Sequence, residues 1–139
     1  MSKPKTEVDI EVINRVRETH IAALNSRNVE AWVTLFTDDG VQMPPNAPAN
    51  VGQEMIRSWS QTFLDTSRTE FRLLVDEVWL TDDWAFERGT YTITLTLKAR
   101  GEPLHDIGKY ITIYQRQSED TWGVASDIWN SNNPLPAMQ

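Results

Sequence analysis

The chain has no cysteine among its 139 residues. Disulfides, thiolate metal sites and cysteine nucleophiles are thereby excluded. Histidine is nearly as scarce, with two in the chain, His20 and His105. The His105-Asp106 pair is a weak metal signal by itself, so no metal and no cofactor is expected. Cations are outnumbered: 13 Lys and Arg against 20 Asp and Glu leave a net charge of −7. That balance disfavours nucleic acid and anionic membrane as partners, because both need clustered positive charge. No apolar run follows the lysines of Met1-Ser2-Lys3-Pro4-Lys5-Thr6-Glu7. Neither a signal peptide nor a membrane span is therefore expected, and the chain reads as cytoplasmic. What it does have is tryptophan, six in all. That is many for this length, and it suggests that some indoles line something other than a plain core.

The length suits one domain, 1–139, with its core in about 7–132. Thr6-Glu7-Val8-Asp9 has the form of a capping box. Ile13, Val16, His20 and Leu24 then recur at spacings of three and four, the stripe of an α-helix. Asn28 is placed to cap a second, shorter helix carrying Ala31, Trp32, Leu35 and Phe36. Asp38-Asp39-Gly40 reads as a turn and Val41-Gln42-Met43 as extended. Pro44-Pro45 opens an irregular loop to Asn50. A third helix starts at Gly52-Gln53-Glu54, with Met55, Ile56, Trp59 and Phe63 as its buried face. Past Thr66 the period changes, and four strands are expected at about 70–80, 84–97, 104–116 and 122–130. Connections this short make antiparallel neighbours. The tail from Asn132 to Pro136 should be extended or loose. Helices first and hairpins after is an α+β pattern, with helices packed on one face of an antiparallel sheet.

Two segments carry a family resemblance. One is Ile21-Ala22-Ala23-Leu24-Asn25 followed by Trp32-Val33-Thr34-Leu35-Phe36-Thr37-Asp38-Asp39-Gly40. It resembles the helix–helix–turn that opens steroid Δ-isomerase and the SnoaL-like (polyketide-cyclase-like) domains. The other runs from Gly108-Lys109-Tyr110 through Trp122-Gly123-Val124-Ala125-Ser126-Asp127-Ile128-Trp129-Asn130-Ser131-Asn132. It is similar to the closing hairpin of a subgroup of the nuclear transport factor 2-like superfamily, some of whose members lie near polyketide and enediyne biosynthesis genes. The resemblance implies a cone-shaped, cystatin-like fold: three N-terminal helices on a curved antiparallel sheet around one pocket. Carried across residue by residue, the isomerase's helix-one tyrosine falls at His20, its base aspartate at Pro44, and its oxyanion carboxylic acid near Lys109. All three depart from the pattern, so that mechanism is not expected here.

The candidate site follows from the two readings together. Strand alternation puts Ala125, Asp127 and Trp129 on one face, which the resemblance identifies as the concave one. The same argument sends Lys109, Ile111 and Ile113 inward and Tyr110, Thr112 and Tyr114 outward. His20 and Asp127 are the candidate catalytic groups. Lys109, Trp129, Trp32, Met43, Trp59, Phe63 and Glu87 are candidate ligand contacts. His20 reads equally well as a core histidine, and Asp127 as a structural carboxylate paired with Lys109. Trp32, Trp59 and Phe63 suit a core as readily as a ligand wall. Glu87 is favoured inward over Arg88 because it shares parity with Ala85 and Gly89.

Two functional readings stay open. One is an isomerase- or cyclase-like enzyme, or an accessory protein, acting on a small apolar carbonyl compound such as a polyketide intermediate. The other is a non-catalytic ligand-binding or dimerisation module. A homodimer is expected through the sheet's outer face, with Tyr110, Thr112 and Tyr114 exposed on it.

Overall fold

A computed structural model describes residues 3–99 and 101–134. The element order is α1 Lys5–Asn25, α2 Val29–Val33, β1 Phe36–Met43, β2 Asn50–Val51, α3 Gln53–Thr66, β3 Ser67–Leu80, β4 Trp84–Leu97, β5 Pro103–Ser118 and β6 Thr121–Ser131. One sheet runs in the order β2-β1-β6-β5-β4-β3. Neighbours pair antiparallel except β1 and β6, which run parallel. α1 touches both β3 and β6 although β4 and β5 lie between them. Strands are spaced about 4.8 Å apart, so a flat sheet would hold those two roughly 14 Å from each other. A single helix reaching both means that the sheet curls around it. The expected α+β architecture, helices on a curved and mostly antiparallel sheet, is what the chain adopts.

Several local expectations are corrected. α1 starts at Lys5 after Pro4, with no side-chain cap, so the capping box at Thr6 does not form. Proline at the boundary sets the chain direction without one. α2 stops at Val33, and Phe36 opens β1 instead of ending a helix. Asp38-Asp39-Gly40 is not a free turn. It lies within β1, where the register against β6 shifts between Phe36 and Val41, so the extra residues are absorbed as a bulge. The buried face of α3 is Ile56, Ser60 and Leu64, while Met55 is exposed. Trp59 and Phe63 are half-buried and stack on each other at 5.7 Å. The sheet has six strands against four expected, β1 and β2 being the additions. The expected extended tail lies outside the described residues beyond Pro134, as does Arg100 of the β4–β5 turn.

The largest correction is the register of β5. Tyr110, Thr112 and Tyr114 are buried on the concave face, whereas Lys109 and Ile111 are exposed on the other and Ile113 shares their parity. Pairing with β4 explains why. Glu87 stands opposite Thr112, and Gly89 stands opposite Tyr110. Both tyrosine hydroxyls donate to the buried Glu87 carboxylate, Tyr110 at 2.7 Å and Tyr114 at 3.0 Å. Gly89 makes room for a ring beside it, since a Cβ there would lie 2.9 Å from Tyr110 and 2.2 Å from the Leu74 carbonyl oxygen. A buried carboxylate with phenol partners outweighs the apolar character of two isoleucines.

Two devices fix α1 to the sheet. At its start, Arg116 grips Asp9 with its two terminal guanidinium nitrogens, at 3.0 and 2.6 Å, and lies 4.6 Å above the Trp122 ring. The Trp122 indole donates to the same carboxylate at 3.2 Å. This holds the Asp9 carboxyl below its ordinary range, mainly through the Arg116 hydrogen bonds. At its end, the Asn25 carboxamide accepts from the Phe71 amide at 2.7 Å and donates to the Phe71 carbonyl at 3.1 Å. β3 is an edge strand, and Asn25 satisfies part of its open ladder. No helix among the described residues is long and apolar enough to cross a membrane.

Candidate functional site

Curling the sheet over α1 and α3 leaves a cavity of about 300 Å³. Its size is at the small end of the range for small-molecule pockets. Burial grades along it. The closed end is made by Trp32, Gln42, Ser60, Leu64, Asp127 and His20, all buried. The open end is made by half-buried side chains, among them Trp59, Phe63, Leu73, Ile93, Asp106 and Trp129. Seven of the lining side chains are aromatic carbocycles or indoles: Trp32, Trp59, Phe63, Phe71, Tyr91, Tyr110 and Trp129.

The polar groups at the closed end are few and incompletely paired. Asp127 is 5% exposed, and the Thr112 hydroxyl donates to its Oδ1 at 2.8 Å. Its Oδ2 has no partner among the described residues, and no buried polar atom is sealed off without one. That oxygen is therefore reached from the cavity. Burial pushes the Asp127 carboxyl up to about 7, the Thr112 hydrogen bond opposing and the Glu87 charge adding to the rise. Gln42 is the register partner of Asp127 across the parallel β1–β6 pair. Its carboxamide oxygen accepts from Asn50 at 3.0 Å, which leaves its NH2 donors for the cavity. His20 packs between Trp32, 4.3 Å between ring centroids, and Phe71, 5.2 Å and stacked. Among the described residues neither of its nitrogens has a hydrogen-bond partner. Burial, helped by the charge of Arg17, lowers its pKa to about 3. The imidazole is neutral at ordinary pH and offers one N–H donor and one acceptor.

Beneath this end lies a network that is fully satisfied within itself. Arg17 donates to Glu87 through Nε at 2.9 Å and Nη2 at 2.6 Å, and to Asn14 at 2.8 Å. With the two tyrosines, Glu87 receives four hydrogen bonds and is 1% exposed. Burial and this negative charge push both phenols upward, so Tyr110 and Tyr114 remain donors. Glu87 is inward as expected but is structural, and it does not line the cavity.

The structure brings His20, Trp32, Trp59, Phe63, Asp127 and Trp129 to one cavity. It separates three others. Lys109 is on the outer face, where its ammonium donates to Asn132 at 3.0 Å, so the Lys109–Asp127 pair does not exist. Met43 lies in a shallower surface depression with Lys109, because the parity of β1 turns Gln42 inward and Met43 out. Glu87 is in the network just described. Pro44 does not reach the cavity, whereas Pro45 does. Reasoning from sequence missed Gln42, Tyr91, Asp106 and Tyr110. The bulge at Asp38-Asp39 hid the parity of Gln42, and the reversed β5 register hid Asp106 and Tyr110.

The SnoaL-like domain family matches residues 17–120. No curated protein matches the chain. Among solved structures, the chain is similar to a ketosteroid isomerase-like protein from Erwinia carotovora atroseptica SCRI1043, at 25% identity and TM-score 0.83, covering 91% of this chain and 98% of that one. It is similar to a nuclear transport factor 2 (NTF2-like) superfamily protein from Salmonella enterica serovar Typhimurium LT2 at 11% identity and TM-score 0.79, covering 96% of each. It is also similar to a type 2 hexachlorocyclohexane dehydrochlorinase at 13% identity and TM-score 0.80, covering 96% of this chain and 93% of that one. At such identities the last two speak to the fold alone.

Proposed function

The chain belongs to the SnoaL-like domain family, and on that premise we propose that it moves a proton on a small, largely apolar carbonyl compound, with Asp127 as the acid–base group. The observation that carries this reading is a buried carboxyl, titrating near neutrality, with one oxygen open to an apolar cavity. A general base is most effective when its pKa lies near the working pH. The ionised Asp127 would take a proton from the carbon beside the carbonyl. The C–H electron pair becomes the enolate double bond, and charge moves onto the oxygen. Gln42 NH2 and the neutral His20 N–H would donate to that oxygen, as donors fixed in place before charge develops. The protonated Asp127 would then return its proton to carbon, completing the transfer. Polyketide intermediates are carbonyl compounds of the kind this chemistry acts on, and the family resemblance favours them.

The test is exchange of the α-protons of 2-tetralone in D2O, followed by proton NMR. We expect acceleration over buffer that follows an inflection near pH 7. Asp127→Asn should lower it by about 10²–10⁴-fold, the usual contribution of a positioned base. Exchange at the buffer rate with the ketone demonstrably bound would replace this reading by that of a non-catalytic ligand-binding domain. Rate retained in Asp127→Asn would put the base elsewhere.

A further inference from the structure

The charges that face the cavity are of one sign. Asp106 and Asp127 line it, His20 is held neutral, and no Lys or Arg among the described residues lines it. Neither aspartate forms an ion pair among those residues. Arg17 is committed to Glu87 and Asn14, and Lys109 is on the other face of the sheet. Asp106 stands on the inward parity of β5, two positions before Gly108. It is held in place by three neutral donors: Tyr91 OH at 2.9 Å, Ser131 Oγ at 2.5 Å and Asn133 Nδ2 at 3.0 Å. These orient the carboxylate without neutralising it. Burial, with the Asp106 hydrogen bond and then its negative charge, pushes the Tyr91 phenol upward, so the ring stays neutral beside it. Tyr91, which is buried, and Trp129, which is half-buried, pack in one cluster of the cavity wall.

We infer that the ligand of this cavity carries a protonated amine, seated between the Asp106 carboxylate and the rings of Tyr91 and Trp129, while its apolar body extends to His20 and Asp127 at the closed end. The physical reasons are three. A partly desolvated carboxylate without a counter-ion gains most from a cation that arrives with the ligand. Aromatic faces attract ammonium groups, the more so when the pair is desolvated. The chain's net charge of −7 draws cations toward it and repels anions. An anionic ligand would enter a site with two carboxyl groups and no cation, losing its water for nothing. His20 and the free Asp127 oxygen are buried polar groups aimed into the same cavity, so it is built to meet a ligand's polar atoms and not merely to be filled.

This inference rests on the proposed function only for the site, and a matched series separates the two. The probes are 2-tetralone, 2-aminotetralin and 1,2,3,4-tetrahydronaphthalene-2-carboxylate, which share one bicyclic body and differ in charge. Binding is followed by isothermal titration calorimetry at pH 7.5 and checked by quenching of tryptophan fluorescence. The expected result is that the amine binds at least tenfold more tightly than the ketone and the carboxylate at least tenfold more weakly. Asp106→Asn should weaken amine binding about tenfold more than it weakens ketone binding, and a wild-type far-UV circular dichroism spectrum shows that the variant is folded. Should the variant not fold, the wild-type order of amine against carboxylate decides. Equal affinity for amine and ketone, or a carboxylate that binds as well as the ketone, overturns the inference and leaves the proposed function standing. Failure of all three probes to bind removes both.

Discussion

The two faces of the β4–β5 ladder lie one residue apart in register and differ in kind. The concave face buries Glu87, Thr112, Tyr110 and Tyr114, with every buried polar atom partnered or open to the cavity. The convex face exposes apolar side chains: Trp79 at 64%, Phe86 at 40%, Ile111 at 47% and Ile128 at 44%. Register sets them in two neighbouring rows, Trp79 opposite Phe86 opposite Ile113 and, one step along the strands, Arg88 opposite Ile111 opposite Ile128. The contrast teaches that polarity does not by itself sort residues between inside and outside. A polar group goes inside when its partners are there. An exposed apolar patch of this kind is the sort of surface that a partner covers.

The comparison breaks first if the concave network is dispensable. Glu87→Ala leaves the half-buried Arg17 without a counter-ion and strips Tyr110 and Tyr114 of their acceptor. Removing one member of such a pair costs about 3–5 kcal/mol. Glu87→Gln keeps an acceptor and should cost less. Urea denaturation at pH 7 measures both, and a near-neutral Glu87→Ala would mean that the network is not what sets the register of β5.

Next in size are pH effects, and here two buried groups at the cavity's closed end oppose each other. Asp127 is raised from 3.8 to about 7 on folding, so its contribution is complete below 3.8 and is lost as pH rises toward 7. His20 is lowered from 6.5 to about 3, so its contribution is complete above 6.5 and is lost as pH falls toward 3. Between pH 4 and 6.5 the folded chain holds one proton more at Asp127 and one fewer at His20, and the two slopes cancel. Asp127→Asn should therefore make stability rise with pH, by up to about 1.4 kcal/mol per unit, relative to wild type. His20→Phe, which keeps the aromatic stack, should make it fall by a similar amount. Asp9 adds a loss toward low pH that is common to all three proteins. Parallel stability curves for the three would show that these groups do not titrate as their surroundings dictate.

The same contrast explains how far the sequence could be followed. The α1 stripe was legible because Ile13 and His20 recur at helical spacing and are buried where that spacing puts them, whereas of the face expected for α3 only Ile56 is buried. β6 was legible too, since Asp127 and Trp129 share a parity that the cavity uses. β5 was not, because its decisive residues are tyrosines whose partner, Glu87, is 23 and 27 positions away. Alternation reports two faces but not which one is covered. Gln42 was hidden by a bulge, which changes parity without leaving a mark on composition. Asp106 stood next to His105 and read as a weak metal signal, while its role depends on Tyr91, Ser131 and Asn133.

The smallest effect on folding, and the one that separates the faces most cleanly, belongs to the convex row. Two copies of this chain are expected to pair there, in place of the expected contact through Tyr110, Thr112 and Tyr114, which is buried. Arg88 sits in the row with Glu77 and Asp76 as its partners, Asp76 at 3.3 Å, so a two-fold axis would give each copy the same complementary charges. Ile111→Glu places a carboxylate directly opposite Arg88, where a cross-strand charge pair is tolerated. Monomer stability should then move by no more than about 1 kcal/mol, whereas a charge in the middle of an apolar contact should abolish pairing. Light scattering at micromolar concentration is expected to give twice the 16.0 kDa chain mass for wild type and the single-chain mass for the variant. A wild type that scatters as a monomer would leave the apolar side chains of the convex face exposed in solution, with no second surface to cover them.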